Sequence, residues 1–139
     1  MKAFAIAGVL AGFLLASCAT KPPEPPPKTF TGTRWLVQLQ KTLPGEKPWV
    51  RFGEGRLEGF GGCNRFAARY VQDMMGETIT IGRIDIGRHA CDAAAQRLEE
   101  AWLDALHSAS GYSITADTMI MSGSGGMLSF RAAPEEGKH

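Results

Sequence analysis

Apolar and polar residues alternate along most of this chain. Trp35, Val37 and Leu39 alternate with Arg34, Gln38 and Gln40, which predicts a strand with one buried face. Leu43-Pro44-Gly45-Glu46-Lys47-Pro48 is turn-rich, and the alternation resumes from Trp49 to Phe52. Gly53-Glu54-Gly55 predicts a tight turn and Arg56 to Phe60 a returning strand, so the pair reads as a β-hairpin. Phe66, Ala68 and Tyr70 alternate with Arg65, Ala67 and Arg69, and Thr78 to Ile81 is a further strand. Ile84 and Ile86 fall on the opposite parity, which predicts a bulge near Gly82. Three short strands close the pattern, near Tyr112–Thr115, Thr118–Ser122 and Met127–Arg131, the last two joined by Gly123-Ser124-Gly125-Gly126.

One stretch has the other period. Cys91, Ala94, Leu98, Ala101, Trp102, Ala105, Leu106 and Ala109 recur at spacings of three and four, while Arg97, Glu99, Glu100 and Asp104 lie off that stripe. The spacing predicts one amphipathic helix from about Asp92 to Ser108, stopped by Gly111, with Glu99, Glu100 and Asp92 on a solvated face. With no second helix to meet, the stripe must lie on a sheet. The layout is four or five strands, one helix and three strands, with no internal repeat. Trp35, Phe66, Leu98, Trp102 and Phe130 are the predicted core anchors.

Two segments at the start of the chain do not belong to this pattern. Met1-Lys2 is a short positive head, and Ala3 to Ala16 is an unbroken apolar run of fourteen residues. As a helix that run is too short to cross about 30 Å of hydrocarbon, and it has the length of a signal-peptide core. It ends in Leu15-Ala16-Ser17-Cys18, which resembles the lipobox of bacterial lipoproteins. The resemblance implies a cleaved signal peptide, residues 1–17, and a Cys18 carrying acyl chains. Two or more chains hold a protein on a membrane stably, at about 0.8 kcal/mol per buried CH₂. Ala19, where Asp would retain an enteric lipoprotein at the inner membrane, favours an outer-membrane protein facing the periplasm of a Gram-negative bacterium. Residues 21–28 hold five of the eight prolines. They predict a polyproline II spacer rising about 3.1 Å per residue, so residues 18–31 read as a lipidated tether. The domain is expected over 32–132 and a frayed tail over 133–139.

Composition adds exclusions. Lys2 is the only charge in the leader, so the mature chain has fourteen basic and fourteen acidic residues. A net charge of zero carries no footprint for nucleic acid. Cysteine is too scarce for a disulfide-built mini-protein, and a core must hold the fold.

The candidate chemistry sits in two places. Gly59-Phe60-Gly61-Gly62-Cys63-Asn64 is a glycine cluster between strands. No Gly-Lys-Ser/Thr follows, so it reads as a sharp structural turn rather than a phosphate cradle, with Asn64 bonding its own backbone. Cys63 and Cys91 remain once Cys18 takes lipid. In an oxidising envelope they form a disulfide across a step of 28 residues, or they stay as two buried thiols. His89 beside Cys91, with Cys63, offers three zinc-type donors but no fourth. A Cys–His nucleophile pair at the same residues needs a free thiolate.

These residues also carry a resemblance. Gly32-Thr33-x-Trp35 opens the domain, Gly59-x-Gly61-Gly62-Cys63-Asn64-x-Phe66 follows a hairpin, Cys91 precedes a helix, and Leu128-x-Phe130 closes. Over about residues 32–131 the chain resembles the META domain family. The resemblance implies an α+β fold: an incomplete, mostly antiparallel barrel of about eight strands with one helix packed on it. It implies no enzyme activity and no cofactor, and an association with envelope stress or antibiotic tolerance. Gly87-Arg88-His89-Ala90-Cys91 departs from the family's usual Thr-x-Met-Ala-Cys-like run. The function expected is that of a non-catalytic envelope lipoprotein, held to the membrane by acylated Cys18 and binding a protein or lipid partner. The alternatives are a lipid- or small-molecule-binding barrel, and a thiol enzyme using Cys63 or Cys91 with His89.

Overall fold

The computed structural model describes residues 17–73, 75 and 78–135, with 3, 8 and 12–14 in the leader. The rest of the predicted signal peptide, and the predicted tail from 136 on, lie outside the described residues. The elements in chain order are β1 (Arg34–Val37), β2 (Trp49–Phe52), β3 (Arg56–Phe60), β4 (Arg65–Gln72), β5 (Ile79–Ile81), β6 (Asp85–Ile86), α1 (Ala93–His107), β7 (Ala109–Thr115), β8 (Thr118–Gly123) and β9 (Gly126–Ala132).

Eight strands form one antiparallel path, β5-β4-β3-β2-β1-β9-β8-β7, and β6 pairs with β4. The first strand therefore lies beside the last, with Leu36 opposite Arg131. The two edge strands approach each other at a bridge between Thr78 and Gly111. The sheet is thus a nearly closed barrel. The period-two pattern is the reason. Trp35, Val50, Phe52, Leu57, Phe66, Tyr70, Met119, Met121, Leu128 and Phe130 alternate inward along their strands and fill the interior. Trp35 and Phe130 are fully buried, and Phe66 nearly so. The irregularity expected at Gly82 is present. Between the pairs Tyr70–Ile81 and Ala67–Asp85, three residues of one strand stand opposite two of the other.

The helix begins and ends as the sequence predicts, but it is rotated. Asp92 is exposed, as expected, and is the N-cap, accepting a hydrogen bond from the Ala95 N–H at 2.8 Å. Ser108, not Gly111, ends it, and Gly111 already pairs in β7. The buried face is Ala95, Glu99, Trp102, Leu103 and Leu106. Ala94 and Ala101 are exposed and Leu98 is only half-buried, so Leu98 is not a core anchor. An apolar stripe drawn without Glu99 shares Trp102 and Leu106 with the true one but is turned from it by a little less than one residue's roughly 100°.

The fold also starts before Gly32. The Lys28 N–H donates to Ala116 at 2.7 Å, and the Phe30 carbonyl accepts from Trp35 Nε1 at 3.2 Å. The Phe30 ring stacks on Phe52 and on Tyr112, both at 4.2 Å between centroids. Phe30 thereby closes one end of the barrel seam, where Gln72 Nε2 also donates to the Tyr112 hydroxyl at 2.7 Å. The Tyr70 hydroxyl beside it donates to the Gly53 carbonyl.

Burial at this end raises the pKa of both Tyr70 and Tyr112 above the ordinary value of 10.0. A raised folded-state value means their contribution to stability is complete below the unfolded value of about 10 and disappears as pH rises through the folded one. These are the only two tyrosines, so absorbance of the phenolate reads them directly. The expected result is a folded chain titrating at higher pH than the same chain in denaturant. Coincident curves would place both hydroxyls in free solvent.

Candidate functional site

The glycine-rich segment is the loop of the β3–β4 hairpin. Phe60 and Arg65 are the last paired residues, and the Gly61 N–H donates to the Asn64 carbonyl at 2.8 Å. Two glycines are required by what lies against them. Gly59 sits within β3, where a Cβ would overlap the Trp49 carbonyl and meet the Phe66 ring at 2.7 Å. A Cβ on Gly61 would overlap the Glu99 carboxylate. Gly62 turns the loop with φ near +114°.

Glu99 organises this loop from α1. It is 3% exposed, and one carboxylate oxygen accepts from the backbone N–H of Cys63 at 2.9 Å and of Asn64 at 2.6 Å. The other accepts from Asn64 Nδ2 at 3.2 Å. A buried turn must give its N–H groups acceptors, and a carboxylate is the strongest available. Trp102, one turn along the helix, donates Nε1 to the Gly61 carbonyl at 2.7 Å. Asn64 does not bond its own backbone, as the sequence reading has it. Its Oδ1 accepts from the His89 N–H at 2.6 Å, so it ties the hairpin to the segment that enters α1.

The same two segments are joined by a disulfide between Cys63 and Cys91, with Cα atoms 5.9 Å apart. Neither sulfur is a thiolate while that bond stands, and His89 is exposed at the surface. Among the described residues no group of three or more His, Cys, Asp or Glu is placed to hold a metal ion. The loop, the disulfide and Glu99 together form a clasp that fixes hairpin to helix. Replacing both Cys63 and Cys91 with Ser is expected to lower stability by about 2–4 kcal/mol and keep the fold. Urea melts of the variant and of the oxidised parent measure it. Equal midpoints would mean the clasp holds without its covalent bond.

A second constellation lies on the outer face, and the alternation alone does not single it out. Trp49 is buried beneath guanidinium groups: Arg34 lies 4.5 Å from its ring centroid, Arg65 5.4 Å and Arg51 5.7 Å. Glu46 gathers them, accepting from Trp49 Nε1 at 2.9 Å, Arg34 at 3.3 Å and Arg65 at 3.5 Å. The outward parity of Trp49 in Trp49-Val50-Arg51 is the signal that marks it.

These features define a class: a small α+β domain built on a nearly closed antiparallel barrel, with one helix clasped to a glycine-rich hairpin. The model of the META domain matches residues 28–135, and the chain belongs to that family. A solved structure of a protein from Burkholderia xenovorans is similar, with a TM-score of 0.61 and 20% identity over 84% of this chain and 96% of that one. Another solved structure superposes with a TM-score of 0.57 and 18% identity, over 71% of this chain and 87% of the other. At these identities they share the fold. No curated protein matches the chain.

Proposed function

We propose that this META-domain protein is a non-catalytic envelope lipoprotein. It is held at the outer membrane by acylated Cys18 and supports envelope integrity under stress by binding a protein or lipid partner. The observation that carries this reading is the leader: a positive head, a fourteen-residue apolar run and Leu15-Ala16-Ser17-Cys18. The rest of the chain supports it. Residues 18–27 form no helix or strand and are exposed, as a spacer is. The Cys63–Cys91 disulfide suits an oxidising compartment. The same bond occupies the thiols that an enzyme using His89 would need.

Cys18→Ala removes the only acyl acceptor the reading allows. The variant is expected to leave the outer-membrane fraction after a carbonate wash, where the parent stays. Retention of the variant in that fraction would overturn the anchor.

A further inference from the structure

We propose that the cleft between the tether end and the β1–β2 ladder is a binding site for a phosphate-bearing anion. The cleft has a volume of about 820 Å³, and Lys28, Thr29, Thr31, Thr33, Arg34 and Arg51 supply its polar lining. That volume is within the range of small-ligand sites, roughly 300–1,000 Å³, and leaves room for the organic group that bears the phosphate.

The strand register points to an anion. Arg34 stands directly opposite Arg51 across the β1–β2 pair. Like charges in direct opposition destabilise a sheet, and an anion between them reverses the sign of that interaction. The nearby acids are already engaged or lie to one side. Glu46 bonds Arg34 from over Trp49, Glu58 faces Arg51 from β3, and Glu135 bonds Lys28 at 2.9 Å. The cleft lining itself holds three cations against the single carboxylate of Glu135.

The donor types specify the kind of anion. Arg34 Nε is shut off from solvent without a hydrogen-bond partner, so Arg34 meets a ligand only through the third of its side chain that is exposed. Thr29, Thr31 and Thr33 recur at every second residue, and the Thr29 and Thr33 hydroxyls lie 3.4 Å apart. The chain turns at Gly32, whose φ is near +82°, and the Thr29 hydroxyl donates to the Thr31 carbonyl at 2.9 Å, which leaves the Thr31 and Thr33 hydroxyls on the cleft lining. Guanidinium, ammonium and hydroxyl donors converging on one cleft suit the several oxygens of a phosphate better than a single carboxylate. Glu135 on Lys28 shows that the cleft already receives an anionic group, one whose own side chain is largely exposed and which a ligand can displace.

A phosphate can arrive from two sources, a soluble monoester or a lipid headgroup. The second rests on the anchor proposed above. Cys18 lies ten residues before Lys28, a polyproline reach of about 30 Å, so a tethered cleft stays within about that distance of the membrane surface.

The full chain is tested in two arms: equilibrium dialysis against glycerol 1-phosphate, and flotation with vesicles. The vesicles are phosphatidylcholine alone, or phosphatidylcholine mixed equally with phosphatidylglycerol. The readout in the second arm is the part of the phosphatidylglycerol increment that Arg51→Gln removes, since the positive head of the leader adds an increment of its own that the variant shares. Saturable binding is expected in at least one arm. Arg51→Gln should weaken it about tenfold, and Arg97→Gln, on the exposed face of α1, should leave it unchanged. Arg51 is exposed, so its variant keeps the fold, which a thermal melt verifies. Dialysis binding alone assigns a soluble ligand, and a phosphatidylglycerol increment that Arg51→Gln removes assigns the headgroup. Binding in neither arm, or binding that Arg51→Gln retains, overturns the site. Neither arm depends on the acylation of Cys18. An unlipidated Cys18 with phosphate binding intact removes the anchor and leaves the site; a lipidated Cys18 without binding removes only the site.

Discussion

Replacing Trp102 with alanine is expected to cost the domain about 3–5 kcal/mol, the range for a fully buried aromatic side chain. Trp102 is 2% exposed and lies between helix and sheet. Its ring meets Phe66 edge-on at 5.4 Å between centroids. Truncation leaves a cavity between helix and sheet. It also deprives the Gly61 carbonyl of its donor, a penalty beyond the lost apolar area. Trp102→Phe keeps most of the volume and isolates that second part, so it should cost less. Chemical denaturation with matched m-values reads both. A loss below about 1 kcal/mol for Trp102→Ala would mean that the helix does not depend on this contact.

Glu99→Ala is the second large effect. It removes the acceptor for two backbone N–H groups and one amide N–H at once. A buried donor left unpaired costs about 1–3 kcal/mol, and water relieves the part of the loop it can reach, so the total expected is about 2–4 kcal/mol. Glu99→Gln keeps one acceptor oxygen and should retain about half of that. Hydrogen exchange at the Asn64 amide separates this from a general loss of stability, because protection there should fall before the β8–β9 ladder is affected. A Glu99→Ala variant within about 0.5 kcal/mol of the parent would show that the loop does not need the carboxylate.

Glu99 also shows where the sequence stops being legible. The strands could be read because each buries one face, and period two exposes that face directly. The barrel interior follows from it: Trp35, Phe66 and Phe130 all point inward. The helix length was readable for the same reason. Its rotation was not, because a carboxylate inside an apolar stripe looks like a misplaced surface residue until the loop it serves is in view. That loop is 35 residues away in sequence, and only the fold brings its N–H groups to the helix. Leu98 is the complementary case, since it gives up its place in the core to Glu99 and Leu103. Phe30 lay hidden for another reason. Beside five prolines its aromatic ring has no alternating neighbours, and its partners Phe52 and Tyr112 come from distant strands. The cleft of Lys28, Arg34 and Arg51 needs both the register of β1 on β2 and the return of the tether, neither of which a linear pattern records.

The intact mass of the chain recovered from the membranes of its own cells tests the envelope reading most directly. The account predicts a chain that begins at Cys18, carries acyl groups on that residue, and is lighter by two hydrogens for the Cys63–Cys91 bond. A chain that retains residues 1–17, with Cys18 as a free thiol, would contradict it.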